Sequence, residues 1–273
     1  MYRVGKSVEI LYDRDSELKK EDVLEILDWN EHQLHLPKIT EYEVALFLRA
    51  RTYKVNDAKK NIENYYTFKT NNPKLFAKRD AVTPEIQQVI EDQLHIALPG
   101  TTVEGHKAIF FKMVNPDTSK FNFTGTFRTI SMLTDWWHLA EGTAEGHVIV
   151  VDFQGFTFGH IMRINLFILK AFVTYAQDLL PIRLRGIHFI NATKFAQRFI
   201  SILRPLLKKD VSAVLNVHLT MDTVFEVIPR ESFPQELGGT WKPLKELQEE
   251  MRDLLVTNRK NFLEDDIVRK VKK

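Results

Sequence analysis

The sequence has no cysteine among its 273 residues. That excludes disulfides, thiolate metal sites and a cysteine nucleophile, and it fits a reducing compartment. No run of about 18 apolar residues occurs, so no membrane-spanning helix is expected. The N-terminal stretch MYRVGKSVEILYDRD holds no long apolar core. No signal peptide is therefore expected, and the protein is read as cytoplasmic. Net charge is only +2, too little for a nucleic-acid footprint over the whole surface, so an anionic partner must be met by a local patch. Neither GxGxxG nor GxxxxGK occurs, and GxSxG and HExxH are absent. The nine histidines are scattered, with only His32 and His35 close together and no carboxylate arrangement around them. No catalytic residue, metal site or cofactor is assigned on this basis, and the chain is read as a non-enzyme.

What the sequence does have is phenylalanine, in 19 copies. Phe is bulky and carries no polar atom, so an excess suits either a large core or an apolar cavity. The first 80 residues read as short helices. Ser16 followed by Val23, Leu24, Ile26 and Leu27 suggests a capped amphipathic helix. Thr40 with Glu43 forms a capping box for a second, and residues 56–69 form a third. From about residue 95 the pattern alternates. Strands are expected at 107–113, 147–152, 186–190 and 213–219, with helices at 126–140, 160–178, 194–208 and 244–255. This is an α/β sheet with helices packed on it. Residues 256–273 read as a charged tail whose last part, 264–273, is mobile. Asp152-Phe153-Gln154-Gly155 reads as a strand end in which Asp152 accepts from backbone donors and Gly155 permits a turn. His188 and His218 fall in strand-like runs and read as hydrogen-bonded core residues.

Residues 183–209 run RLRGIHFINATKFAQRFISILRPLLKK, with no acidic residue until Asp210. In the second half, Phe195, Phe199, Ile202, Leu203 and Leu206 fall on one helical stripe, with Lys194 and Arg198 beside it. Pro205 must kink or end that helix near Arg204. One reading is an ordinary surface helix. The other is a movable lid whose apolar face covers a ligand when closed and meets a membrane when open, its basic flank against lipid phosphates.

Five ordered blocks then resemble a known family: Phe47-Leu48-Arg49-Ala50-Arg51, Asn64-Tyr65-Tyr66, Asp152-Phe153-Gln154-Gly155, the run 181–191, and Phe233-Pro234-Gln235-Glu236-Leu237-Gly238-Gly239. The chain resembles the CRAL-TRIO lipid carriers, most closely the α-tocopherol-transfer and retinaldehyde-binding branch. The resemblance implies an N-terminal helical bundle (1–80), then a lipid-binding α/β domain (95–255) in which a mostly parallel sheet floors an apolar cavity and residues 193–208 form a gating helix. By local match it places Ile130, Thr134, Phe172, Tyr175, Ala176, Leu180, Ile182, Leu184 and Ile187 at the cavity, with Phe127 and Phe158 as additions to it, and Phe195, Phe199, Ile202 and Leu203 on the lid. Arg51, Arg183 and Arg185 match a lipid-phosphate cluster, with Arg204 and Lys208 nearby; two further basic positions of that cluster fall on Asp210 and Val214. The implied function is intracellular transfer of a tocopherol-, retinoid- or carotenoid-like lipid. The implied partners are that lipid and a transient anionic membrane surface, phosphoinositide included. A phospholipid or phosphoinositide exchanger and a protein-interaction scaffold remain as alternatives.

Overall fold

The computed structural model describes residues 7–142, 144–192, 194–268 and 271–272, without the side chains of Glu141, Lys194, Phe195, Ile267 and Val268. Five strands form one sheet: β1 (Gln93–Ala97), β2 (Lys107–Met113), β3 (His147–Asp152), β4 (Leu184–Ile190) and β5 (Leu215–Val217). Their spatial order is their sequence order. β1 pairs antiparallel with β2, and the remaining pairs are parallel. Each parallel pair needs a crossover, and crossovers are almost always right-handed. Because the order always advances in one direction, a common hand sends every crossover helix to the same face. The crossovers are Phe123–Glu141, then Phe158–Arg163 with Leu166–Thr174, then Lys194–Leu203.

The two faces of the sheet are filled differently. Ala108, Phe110, Val148, Val150 and Ile190 face a solid core shared with Val224, Ile228, Phe233, Leu247, Met251 and Leu255. The alternate residues of the same strands, Ile109, Phe111, Ile149 and Val151, face the crossover helices and are only half-buried. The period-2 alternation of a strand thus separates a packed face from one with space above it.

The N-terminal region contains helices Glu9–Arg14, Lys20–His32, Glu41–Ala50, Val55–Asn71 and Pro73–Phe76. The capping box forms as the sequence implies: Thr40 N–H donates to Glu43 Oε2 at 2.8 Å, and Glu43 N–H donates to Thr40 Oγ1 at 3.3 Å. Ser16 does not cap, because its helix starts four residues later behind Lys19, with no side-chain cap. β1 escaped the sequence reading: it follows the helix Pro84–Asp92 with no turn residue between and carries polar Gln93 and His95. β5 is shorter than expected: the helical turn Lys209–Ala213 and its C-cap Val214 take its start, and the strand stops at Val217. The helix expected to stop near Pro205 ends at Leu203, where a 3-10 turn Arg204–Leu206 begins.

The C-terminal segment is not a mobile tail as far as it is described. Residues Arg259–Val268 are helical, and Phe262 is fully buried. A buried ion network anchors this helix. Arg79 reaches Asp135 and Asp265 through its terminal nitrogens and Asp266 through Nε at 2.7 Å, while Lys69 Nζ pairs with Asp135 at 3.0 Å. Burial raises the Asp135 carboxyl's pKa, but Lys69 and Arg79 outweigh it and hold the group well below the usual carboxylate range.

Candidate ligand cavity

The space above the sheet is a void with two lobes, of about 190 Å³ and about 250 Å³. His95, Phe111, Ile130, Ile149, Phe172 and Ala176 line both, so the lobes share a wall. Interiors are close-packed, with few voids larger than a water molecule. An apolar cavity of about 150 Å³ already takes up benzene. Either lobe alone therefore exceeds what loose packing leaves behind.

Of the residues placed at the cavity by sequence, Ile130, Phe172 and Ala176 line both lobes. Thr134, Tyr175, Leu180 and Ile182 line the larger, and Leu184 and Ile187 the smaller. Phe127 is not on the wall. It sits about 60° around its helix from Ile130, and its ring packs on Phe76, Phe172 and Tyr175, with ring centroids 5.2, 5.4 and 5.7 Å away. Phe158 is also not on the wall and is 47% exposed. Its short helix turns His160 and Ile161 inward, which leaves Phe158 and Met162, one turn apart, facing out. On the helix Lys194–Leu203, Phe199 and Leu203 line the smaller lobe, and Phe199 contacts the rings of Phe153 and Phe156. Ile202 packs beside this cluster without lining the void. The Phe195 side chain lies outside the described residues.

The covering helix is tied down at its far end by a residue that sequence reasoning missed. Gln177, on the wall of the smaller lobe, donates through Nε2 to Leu206 O at 3.3 Å and accepts from Lys208 N–H at 3.0 Å. Lys208 also ion-pairs with Asp178. Both partners belong to a π-helical turn, Tyr175–Leu179, a local form that recurs at functional sites. That one turn supplies Tyr175 and Ala176 to the void and Gln177 and Asp178 to the cover. No periodicity in the sequence marks it.

The polar groups on the wall are mostly paired. Lys112 Nζ meets Asp152 Oδ2 at 2.6 Å and Gln154 Oε1 at 2.9 Å. Asp152 Oδ1 accepts from Gln154 N–H and Asn191 Nδ2, and Gly155 turns with φ +83°, so this block has the strand-end role read from sequence. Thr134 donates to Ile130 O in its own helix, and Tyr175 OH lies 3.5 Å from Asp135 Oδ1. His188 and His218 hydrogen-bond each other at 3.0 Å.

The basic residues do not form one cluster. Arg51 and Lys208 share an open polar groove with Lys60, Asn61, Asn64 and Asn71. There Arg51 donates to Asn61 Oδ1 at 2.9 Å and to Asp178 O, and burial lowers its pKa. Arg183 is off that groove, donating to Arg49 O at 2.8 Å with its guanidinium 5.3 Å from the Tyr53 ring centre. Arg185 and Arg204 are exposed. Among the described residues no group of three or more His, Asp or Glu side chains is placed to hold a metal ion, and no helix is long and apolar enough to cross a membrane.

Comparison with known proteins gives this geometry a context. A family model described as "CRAL/TRIO domain" matches residues 91–239, and one described as "Pinta-like, UBA domain" matches residues 15–86. Clavesin-2 of Homo sapiens is 26% identical over 203 residues, covering 72% of this chain and 61% of that protein. Clavesin-1 of Rattus norvegicus is 27% identical over 199 residues, covering 72% of this chain and 56% of that protein. The match thus spans about three fifths of the length of these curated relatives. The crystal structure of Sfh5 superposes with a TM-score of 0.52, covering 90% of this chain and 99% of that one at 12% identity, a likeness of fold alone. These relatives are clavesins rather than tocopherol or retinaldehyde carriers. With more than half its length matched by the domain model, the chain belongs to the CRAL/TRIO domain family.

Proposed function

We propose that this chain encloses one elongated apolar lipid of tocopherol-, retinoid- or carotenoid-like shape and carries it between membranes, with no chemistry performed on it. The observation that carries this reading is the two-lobed void, walled mainly by Phe, Ile, Leu and Val and closed by Phe199 and Leu203. Burying about 400 Å² of apolar ligand is worth roughly 10 kcal/mol before entropic costs, at ~25 cal/mol per Å². A bilayer offers the same ligand similar burial, so release requires a state in which the cover lifts at the membrane. In this reading the N-terminal helices brace the domain through the Lys69–Asp135 pair, and the basic surface draws the protein transiently to anionic lipid.

Phe158 takes a different role here from the one expected of it. Phe158, Met162, Leu166 and Phe167 are exposed by 47–88%, and Arg163 and Lys170 beside them are exposed as well. An exposed apolar group rimmed by cations suits insertion among anionic headgroups. A second reading, exchange of an anionic phospholipid or phosphoinositide, rests on Arg51 and Lys208 facing one groove.

Mass spectrometry of lipid extracted from the purified protein tests the first reading. A co-purified isoprenoid-like lipid is the expected result, a phospholipid favours the second reading, and failure to take up any apolar probe leaves only a scaffold. Phe199→Asp with Leu203→Asp is expected to abolish vesicle-to-vesicle transfer. Unchanged transfer would remove the cover from the mechanism.

A further inference from the structure

The larger lobe reaches the surface away from the cover. Phe199 and Leu203 line the smaller lobe, not the larger. Trp241, Glu250 and Leu254 line the larger lobe, and each is only partly buried. Glu250 spans the two environments. It stands on the lobe wall, yet its side chain is 41% exposed. Its carboxylate pairs with Lys242, an equally exposed lysine that also meets Glu246 at 3.2 Å. A carboxylate is costly to bury among Ile, Leu and Trp, and this one is not buried. It marks where the lobe meets water.

Both sides of this mouth are firmly held. Trp241 follows a tight turn in which Gly239 N–H donates to Pro234 O at 3.1 Å. A Cβ on Gly239 would fall 1.9 Å from Phe233 O, so only glycine fits there. Trp241 N–H then donates to that same Phe233 O at 3.0 Å. Glu250 belongs to the helix Leu244–Thr257, whose first N–H donates to Glu236 Oε1 at 3.0 Å. The next residue, Met251, is buried and accepts from His95 N–H through Sδ at 3.2 Å, which fastens the helix to β1. An opening edged in this way needs no movement of the cover. Phe172 and Ala176 line both lobes, so one chain can run from this mouth to Phe199. A polar end group keeps its water at the mouth and loses it under the cover. One lysine between two carboxylates leaves the rim net negative, which attracts a cationic end and repels an anionic one.

We infer that the larger lobe has its own mouth at Trp241, Glu250 and Leu254, and that it seats there the polar end of an amphiphilic ligand, an amine or alcohol rather than a carboxylate, with the apolar end under Phe199 and Leu203. This rests on the carrier reading and gives it an orientation and an end-group class.

The tryptophans provide the test. Trp136, Trp137 and Trp241 line the larger lobe, and the fourth, Trp29, lies on the helix Lys20–His32. Bromine quenches indole fluorescence on contact. A long-chain alcohol brominated beside its hydroxyl is expected to quench most of the emission, and the same alcohol brominated at its methyl end to leave most of it. In competition for a fluorescent probe, a long-chain amine is expected to bind roughly threefold more tightly than the fatty acid of equal length, the scale of one exposed charge contact. Glu250→Lys is expected to reverse that order. The quenching comparison needs no substitution. Equal quenching by the two alcohols, stronger quenching from the methyl end, no amine preference in wild type, or a preference unchanged in Glu250→Lys overturns the inference and leaves the carrier reading standing. Binding of none of these chains overturns both.

Discussion

Ala176 is the place where the void can be tested without a ligand. It lines both lobes, and its surroundings on the wall, Ile130, Phe111, Ile149 and Phe172, are apolar. Ala176→Leu adds three carbons, each worth about 0.8 kcal/mol when buried in space that is already there. Delipidated Ala176→Leu should thus be about 2 kcal/mol more stable than delipidated wild type. For a domain of roughly 150–250 residues that corresponds to a melting temperature about 4–8 °C higher. The same carbons stand at the shared wall of the lobes and should weaken binding of a long probe at least roughly tenfold, because part of its length loses its place. If the space were filled by side chains instead, the added carbons would overpack it and cost about 1–3 kcal/mol. The sign of the shift decides. A lower melting temperature with unchanged probe affinity would refute the void and everything built on it. Differential scanning calorimetry before and after lipid removal, with a fluorescence titration, provides both readings.

Other consequences follow from particular contacts. Arg79→Met removes the cation shared by Asp135, Asp265 and Asp266 and should cost about 3–5 kcal/mol, since it strands buried carboxylates; a loss below 1 kcal/mol by urea denaturation would show the network to be dispensable. His95, His138 and His147 are buried neutral, with burial pushing their pKa values down to about 3, 4 and 3. The unfolded chain binds their protons first, so stability falls as pH drops below about 6.5, by about 2 kcal/mol per imidazole at pH 5. A melting temperature flat between pH 7 and 5 would contradict their burial. Gln177→Leu removes both bonds to the end of the covering helix and should raise the rate of vesicle-to-vesicle transfer with little change in equilibrium affinity; an unaltered rate would show that the latch does not limit opening.

Much of the covering helix was legible in advance because its information is local. A stripe of Phe199, Ile202 and Leu203 and a proline at 205 depend only on 3.6-residue spacing and on a missing N–H. The alternation in β2 and β3 is likewise written in order along the chain, as is the capping box at Thr40. Many wall residues, including Ile130, Phe172 and Ala176, could be named only by resemblance, since nothing in their own type separates a void from a core. Phe158 shows the limit of that route: a phenylalanine among phenylalanines faces outward because its helix is short and turns Ile161 in instead.

The sequence by itself determined the α/β class, the N-terminal helices, the lack of any thiol chemistry and an amphipathic helix ending at a proline. Each follows from spacing and composition within a few residues. Only the tertiary structure decided that the space over the sheet is hollow and that Gln177 fastens its cover. Those properties belong to contacts between distant residues, such as Gln177 and Leu206, or to space that no side chain fills. Chain order carries no record of either until the sheet brings its faces together.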